Sequence, residues 1–249
     1  MYCIRCLGLI LQISAIMISE IFIYFGQIGA AAIIYAISLL AIVITSARSA
    51  DRKFLAILFI PIFKLIGMAT PIFFQNALYS YALSCSIMFI PIYTIIKSRK
   101  FRPIEIGLVT KGMIWYSPIA IALGFILGLI EFQILRPDMF TLDHGFYRLL
   151  GLSLIIIAIG GFVEEFIFRS MLQTVLENEF GNTKGLLAAS LIFGLMFSIY
   201  GILSEIFFGL CAGLAIGYLF QRTRSLLLIA LAHGIANITL FIIAPIIYK

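Results

Sequence analysis

The chain has 249 residues, 63% of them hydrophobic and 11% charged, with a mean hydropathy of +1.17. Soluble domains carry about a quarter charged residues, so this composition excludes a water-soluble enzyme or binding module and predicts an integral membrane protein. The net charge of +6 is accounted for by basic loops beside a membrane, and no nucleic-acid partner is read from it.

A helix needs roughly 20 apolar residues to cross a bilayer. On that measure the apolar runs predict nine spans: Leu7–Phe25, Ile28–Ser46, Phe54–Phe74, Ala77–Ile96, Met113–Gln133, Leu149–Phe168, Leu186–Tyr200, Leu203–Phe220 and Leu226–Ile247. The seventh is short and the first two almost abut, so eight spans is the alternative. The expected fold class is all-α, a polytopic bundle of eight or nine transmembrane helices. No small-residue cleavage site follows the first run, which therefore reads as retained. Of the longer connections, Lys97–Gly112 is basic and half apolar, which predicts a helix lying at the inner interface. Neither it nor Ile134–Arg148 is long enough to fold alone. The chain thus reads as one membrane domain over residues 1–249, with N-terminal helices of unassigned role over 1–110 and a core over 111–249. The absence of an internal repeat argues against repeat-built transporter folds.

Basic residues favour the cytoplasmic side. With nine spans, Arg5, Arg48, Arg52, Lys53, Lys97, Arg99, Lys100, Arg102, Lys111, Lys184, Arg222 and Arg224 share one side, against Arg136, Arg148 and Lys249 on the other. This predicts a cell-membrane protein with its N-terminus cytoplasmic and its C-terminus outside. Trp115, Tyr116, Tyr147 and Tyr200 near helix ends read as interfacial anchors. Cys3 and Cys6 have C-x-x-C spacing but no second pair, and read as apolar fillers.

Charge within hydrocarbon is costly and marks function or pairing. Glu20, Lys64 and Glu131 fall inside predicted spans. They read as a structural pair of Lys64 with an acid of the first bundle and a Glu131 that reaches the outer interface; a small-solute transporter would use them as an ion path instead. The run GGFVEEFIFRSMLQ carries Glu164, Glu165 and Arg169. Glu165 and Arg169 are four apart, on one helical face and able to pair, while Glu164 points about 100° away. That leaves Glu164 free as a general base. His233 and Asn237 of LAHGIANI are likewise four apart. Their depth matches that of Glu164, predicting a shared cavity in the cytoplasmic half of the membrane. Gly209, Gly213 and Gly217 form overlapping G-x-x-x-G steps that read as a packing surface.

The Glu164-Glu165-x-x-x-Arg169 element, the R-T-x-S stretch at Arg222 to Ser225, and His233-x-x-x-Asn237 together resemble the CPBP intramembrane proteases. That family includes the type II CAAX prenyl endopeptidase and bacterial Abi relatives tied to bacteriocin self-immunity. The resemblance covers roughly residues 110 to 245. It implies a helical core around a cavity open to the cytosol, membrane lipid as surroundings, and a peptide or lipidated protein as substrate. It also implies that Glu164 activates water, assisted by a histidine from an FxxxH motif, while His233 and Asn237 hold the oxyanion or help bind a metal.

The FxxxH motif should fall in LIFGLMFSIYG, where Phe193 supplies its start but Phe197 stands in place of the histidine. The other histidine, His144, lies in an outside loop. Catalytic zinc usually takes three protein ligands, and Glu164 with His233 makes a poor set, so no tightly bound zinc and no other cofactor is expected. The readings carried forward are an intramembrane endopeptidase of reduced activity, a pseudoprotease that binds membrane peptides or a partner protein, and the transporter. Glu205, eight residues after Phe197, is the candidate to replace the lost group.

Overall fold

Inside hydrocarbon a backbone must satisfy its own N–H and C=O groups, and the apolar runs do so as helices. The computed structural model describes residues 2–48, 53–73, 77–110, 112–137 and 145–248, with no strand among them. The rods are α1 (Tyr2–Tyr24), α2 (Ile28–Arg48), α3 (Lys53–Phe73), α4 (Ala77–Ser98), α5 (Met113–Leu135), α6 (residues 146–180), α7 (Asn182–Leu195, continued by a 3-10 turn at Met196–Tyr200), α8 (Leu203–Thr223) and α9 (residues 226–247). Seven helices among the described residues, α2 to α5 and α7 to α9, are long and apolar enough to cross a membrane. The protein is an all-α polytopic membrane protein. Prolines 61, 71, 91 and 118 lie within helices, where neighbouring rods support the freed backbone groups.

α6 departs most from its expected span, running on to Phe180 where the hydropathy pattern ended at Phe168. Arg169, Gln173 and Glu177 interrupt the apolar run, yet all three are buried. Gln173 Nε2 donates to the Gly217 carbonyl at 3.0 Å and to Glu177 at 2.6 Å, and Arg224 pairs with Glu177 at 2.6 Å. Glu179 pairs with Lys53 at the start of α3. These contacts gather the start of α3 and the ends of α6 and α8 at one end of the bundle, the basic end.

The connection after α4 is not an interfacial helix. Its described residues hold one 3-10 turn, Pro103–Ile106, and are strapped across the basic end. The carbonyls of Ile106, Gly107 and Val109 accept hydrogen bonds from Ser170 Oγ (2.8 Å), Leu226 N (2.7 Å) and Ser225 Oγ (2.7 Å). Three orphan carbonyls find buried donors in this way, so docking wins over lying in lipid headgroups.

The small residues of α8 pack as expected: a Cβ on Gly209 would lie 2.6 Å from the Phe197 ring, and one on Gly217 2.6 Å from Leu186. A tighter approach is at Gly124 and Gly128 of α5, where a Cβ would meet the Ala232 and Ala236 carbonyls of α9 at 2.2 and 2.4 Å. Backbone cannot yield as a side-chain tip can. Gly124→Leu is therefore expected to separate α5 from α9 and cost about 1–3 kcal/mol, read as a lowered unfolding midpoint in detergent. Gly151→Leu, with nothing within 4 Å of its Cβ position, should leave the midpoint unchanged.

Lys64 pairs with Glu20 at 2.9 Å, as the pairing reading expected, and also donates to the Met196 carbonyl at 3.2 Å. Glu20, fully buried, further accepts from Tyr35 and Ser198. The charges that motivated a transport path are thus bonded to one another and to α7. Trp115 and Tyr147 are exposed, as anchors must be. The side chains of Cys3 and Cys6 lie outside the described residues, as does His144.

Candidate active site

The twin glutamates sit in a helical turn, Phe162–Glu165, bracketed by two π-helical segments, Ile156–Gly161 and Phe166–Gln173. π segments widen a helix locally and recur at functional sites. They leave the Glu165 to Arg169 pair intact: Arg169 Nε donates to Glu165 Oε2 at 3.1 Å, with both side chains fully buried. The other Arg169 nitrogens have no hydrogen-bond partner, and the guanidinium lies over the Phe193 ring at 4.7 Å. A desolvated cation on an aromatic face recovers about 2 kcal/mol.

α9 brings His233 against this pair. Its Nδ1 lies 2.6 Å from Glu165 Oε1, and its Nε2 lies 3.6 Å from Glu164 Oε2. Glu165 also accepts from Arg169, so it acts as a carboxylate and the Nδ1 proton is donated to it. The chain Arg169, Glu165, His233 fixes the imidazole and turns Nε2 toward Glu164. Such an orienting carboxylate behind a histidine is a recurrent device. Glu164 faces away from Arg169, as the helical spacing required, and accepts a 3.0 Å hydrogen bond from the Tyr81 hydroxyl of α4.

Glu164, His233 and Asn237 line a cavity of about 590 Å³, with Tyr81, Phe193 and Phe197 on its wall. Phe197 makes edge contacts with Phe193 and Phe208, at 5.5 and 6.2 Å between centroids, so the position expected to hold a histidine completes an apolar wall. From the glutamates the lining continues through Glu131 and Phe208 to Pro137, Tyr200 and Phe241. These last residues lie at the ends of α5, α7 and α9 remote from the basic loops. The cavity therefore runs away from the basic end, contrary to the expected opening there. Toward the basic end Phe168, Arg169 and Gln173 are buried and close the path.

Two residues sit differently from their predicted places. Glu131 does not reach an interface: it is 6% exposed and lines the cavity. Glu205 is fully buried and does not line the cavity, so the structure does not bring it to Glu164 as a replacement for the missing histidine. Tyr81 was not foreseen, because a tyrosine in an apolar run carries no periodic signal.

Zinc does not fit this donor set. Glu165 is taken by Arg169 and His233, Phe197 offers only carbon, and Glu164 with His233 Nε2 leaves two donors where three are usual. Among the described residues no group of three His, Cys, Asp or Glu has metal-holding geometry.

The fold and this cluster define a polytopic membrane protein with two glutamates, an arginine, a histidine and an asparagine gathered within its bundle. The family model described as type II CAAX prenyl endopeptidase Rce1-like matches residues 146–239, the stretch that carries all five. Over that stretch the chain is similar to the type II CAAX prenyl endopeptidase family, the resemblance that its motifs carry. No curated protein and no solved structure matches it significantly.

Proposed function

We propose that the protein is an intramembrane endopeptidase that hydrolyses a membrane-associated peptide bond by means of a glutamate-activated water. The observation that carries this reading is the 3.6 Å approach of His233 Nε2 to Glu164 Oε2 within one cavity. In the proposed reaction Glu164 takes a proton from water, and the resulting hydroxide attacks the scissile carbonyl. His233 in its doubly protonated form, with Nδ1–H held by Glu165, donates Nε2–H to the developing oxyanion together with the Asn237 amide, since preorganised donors in a dry site act strongly on charge that appears only in the transition state. Glu164 then returns the proton to the leaving amine. Tyr81 orients Glu164, and Arg169 with Glu165 orients His233.

With the basic end placed in the cytoplasm by its charge, the N-terminus is cytoplasmic and the cavity faces the opposite side of the cell membrane. Substrate would then enter from the non-cytoplasmic face, the reverse of what the depth argument and the family resemblance implied.

Phe197 favours a second reading, a pseudoprotease that binds peptides without cutting them. A general acid or base partner contributes about 10² to 10⁴ in rate, and a phenyl ring contributes none. Purified wild type and Phe197→His, assayed on one fluorogenic membrane peptide, separate the two. Slow cleavage by wild type that rises at least about tenfold in Phe197→His supports a protease with a weakened base. Cleavage by neither protein would leave only the binding reading.

A further inference from the structure

The far half of the cavity carries charge that the proposed chemistry does not use. Glu131 of α5 lines the wall and is 6% exposed, yet among the described residues its carboxylate has neither a hydrogen bond nor an ion pair. Glu205, in the first turn of α8, is fully buried, and both of its oxygens are likewise unpartnered. The negative charges of Glu205 and Glu164 reach Glu131, offset in part by His233, and those of Glu131 and Glu205 reach the Tyr200 hydroxyl on the cavity wall. A buried carboxylate without a partner is costly, and a second one buried behind the wall of the same pocket adds to that cost.

Among the described cations inside the bundle, Arg169 is bonded to Glu165 and Lys64 to Glu20, while His233 is bonded to Glu165 and reaches Glu131 only through its charge, without contact. The N-terminus of α8 can offset part of the charge on Glu205, whereas Glu131 is 18 residues into a 23-residue helix and has no such help. Metal is a poor solution, because no three-ligand cluster exists among the described residues. The group that suits such a pocket is an organic cation, presented on an apolar stem that can pass Leu127, Phe208 and Phe241.

We infer that Glu131, backed by Glu205, forms a subsite for the ammonium or guanidinium group of a lysine or arginine side chain on the bound peptide. This names a substrate class for the proposed peptidase cavity and rests on that cavity binding peptide, though not on its cutting. The apolar walls take the stem, the Tyr200 hydroxyl and Glu131 accept from the cationic head, and Glu205 supplies negative potential from behind.

The test measures binding, so it is independent of catalysis. The full chain in lipid nanodiscs is titrated with three fluorescent apolar nonapeptides that differ only in a central lysine, acetyl-lysine or norleucine, with empty nanodiscs as background. The lysine peptide is expected to bind about 10- to 100-fold more tightly than the other two, the worth of a charge-assisted hydrogen bond. Glu131→Gln should erase that preference, and Glu205→Gln should reduce it. Equal affinities in the wild type, no binding above background, or a lysine preference that survives Glu131→Gln would each overturn the subsite. The lysine against acetyl-lysine comparison needs no variant, so a misfolded Glu131→Gln would not shield the proposal. Cleavage without lysine preference would sink the subsite alone. Lysine preference without cleavage would sink only the enzymatic reading.

Discussion

Arg169→Leu is expected to destabilise the folded chain by about 3–5 kcal/mol, the usual cost of stranding one member of a buried ion pair. Arg169 and Glu165 are both fully buried and joined at 3.1 Å, and Glu165 in turn bonds His233. Removing the guanidinium leaves a carboxylate in low dielectric with only an imidazole to face it. It also strips the cation from the Phe193 ring and opens space beside Gly217, whose Cβ position lies 3.5 Å from Arg169 Nη1. Arg169→Lys should recover only part of the loss, because an ammonium reaches neither the Glu165 geometry nor the aromatic face as a planar guanidinium does. Thermal or denaturant unfolding in one detergent ranks the three proteins. A stability for Arg169→Leu within 1 kcal/mol of wild type, a threshold of about a surface pair's worth, would show that the pair is not buried as described.

The second large effect falls on rate. Glu164→Gln is expected to lower turnover on any cleaved peptide by about 10²–10⁴, while leaving KM and the unfolding midpoint near wild type. Glutamine keeps the shape of the side chain and still accepts from Tyr81, whose hydroxyl lies 3.0 Å from Oε1, so the cavity wall is retained and only the base is lost. Because Glu164 faces the cavity and not Arg169, its loss should not propagate through the Arg169, Glu165 and His233 chain. A fall in stability like that of Arg169→Leu, with turnover intact, would exchange the roles assigned to the two glutamates.

Much of this arrangement could be read from spacing. Four-residue separations put Arg169 under Glu165 and Asn237 beneath His233, and the offset of Glu164 placed it on another face; the structure has each where helical geometry sends it. The π segments did not disturb the pair, although no pattern in GGFVEEFIFRSMLQ announced them. What spacing could not convey was which neighbour each in-span charge would meet. Lys64 of α3 found Glu20 of α1, whereas Glu131, four positions from the end of α5, turned inward because Gly124 and Gly128 draw α5 onto α9 near its level. Hydropathy also ended α6 too early, since it scores Arg169, Gln173 and Glu177 as solvent-seeking when Glu165 and the Phe193 ring take Arg169 out of solvent and partners on α8 and its following turn take Gln173 and Glu177. The direction of the cavity was not legible at all. Depth along two helices locates a level in the membrane, but the path from that level to water depends on which side chains close the bundle above and below it.

The arrangement on which the site depends is His233 held by Glu165 and facing Glu164 inside the bundle. The chain has two histidines, so histidine-selective nitrogen and proton NMR in nanodiscs reads this imidazole directly, with His233→Gln supplying its assignment. One imidazole is expected to show a far-downfield Nδ1 proton, from the 2.6 Å bond to Glu165, that disappears in Glu165→Gln, and an Nε2 resonance that moves in Glu164→Gln. Two imidazoles that both behave as free and solvated, indifferent to either glutamate substitution, would contradict it.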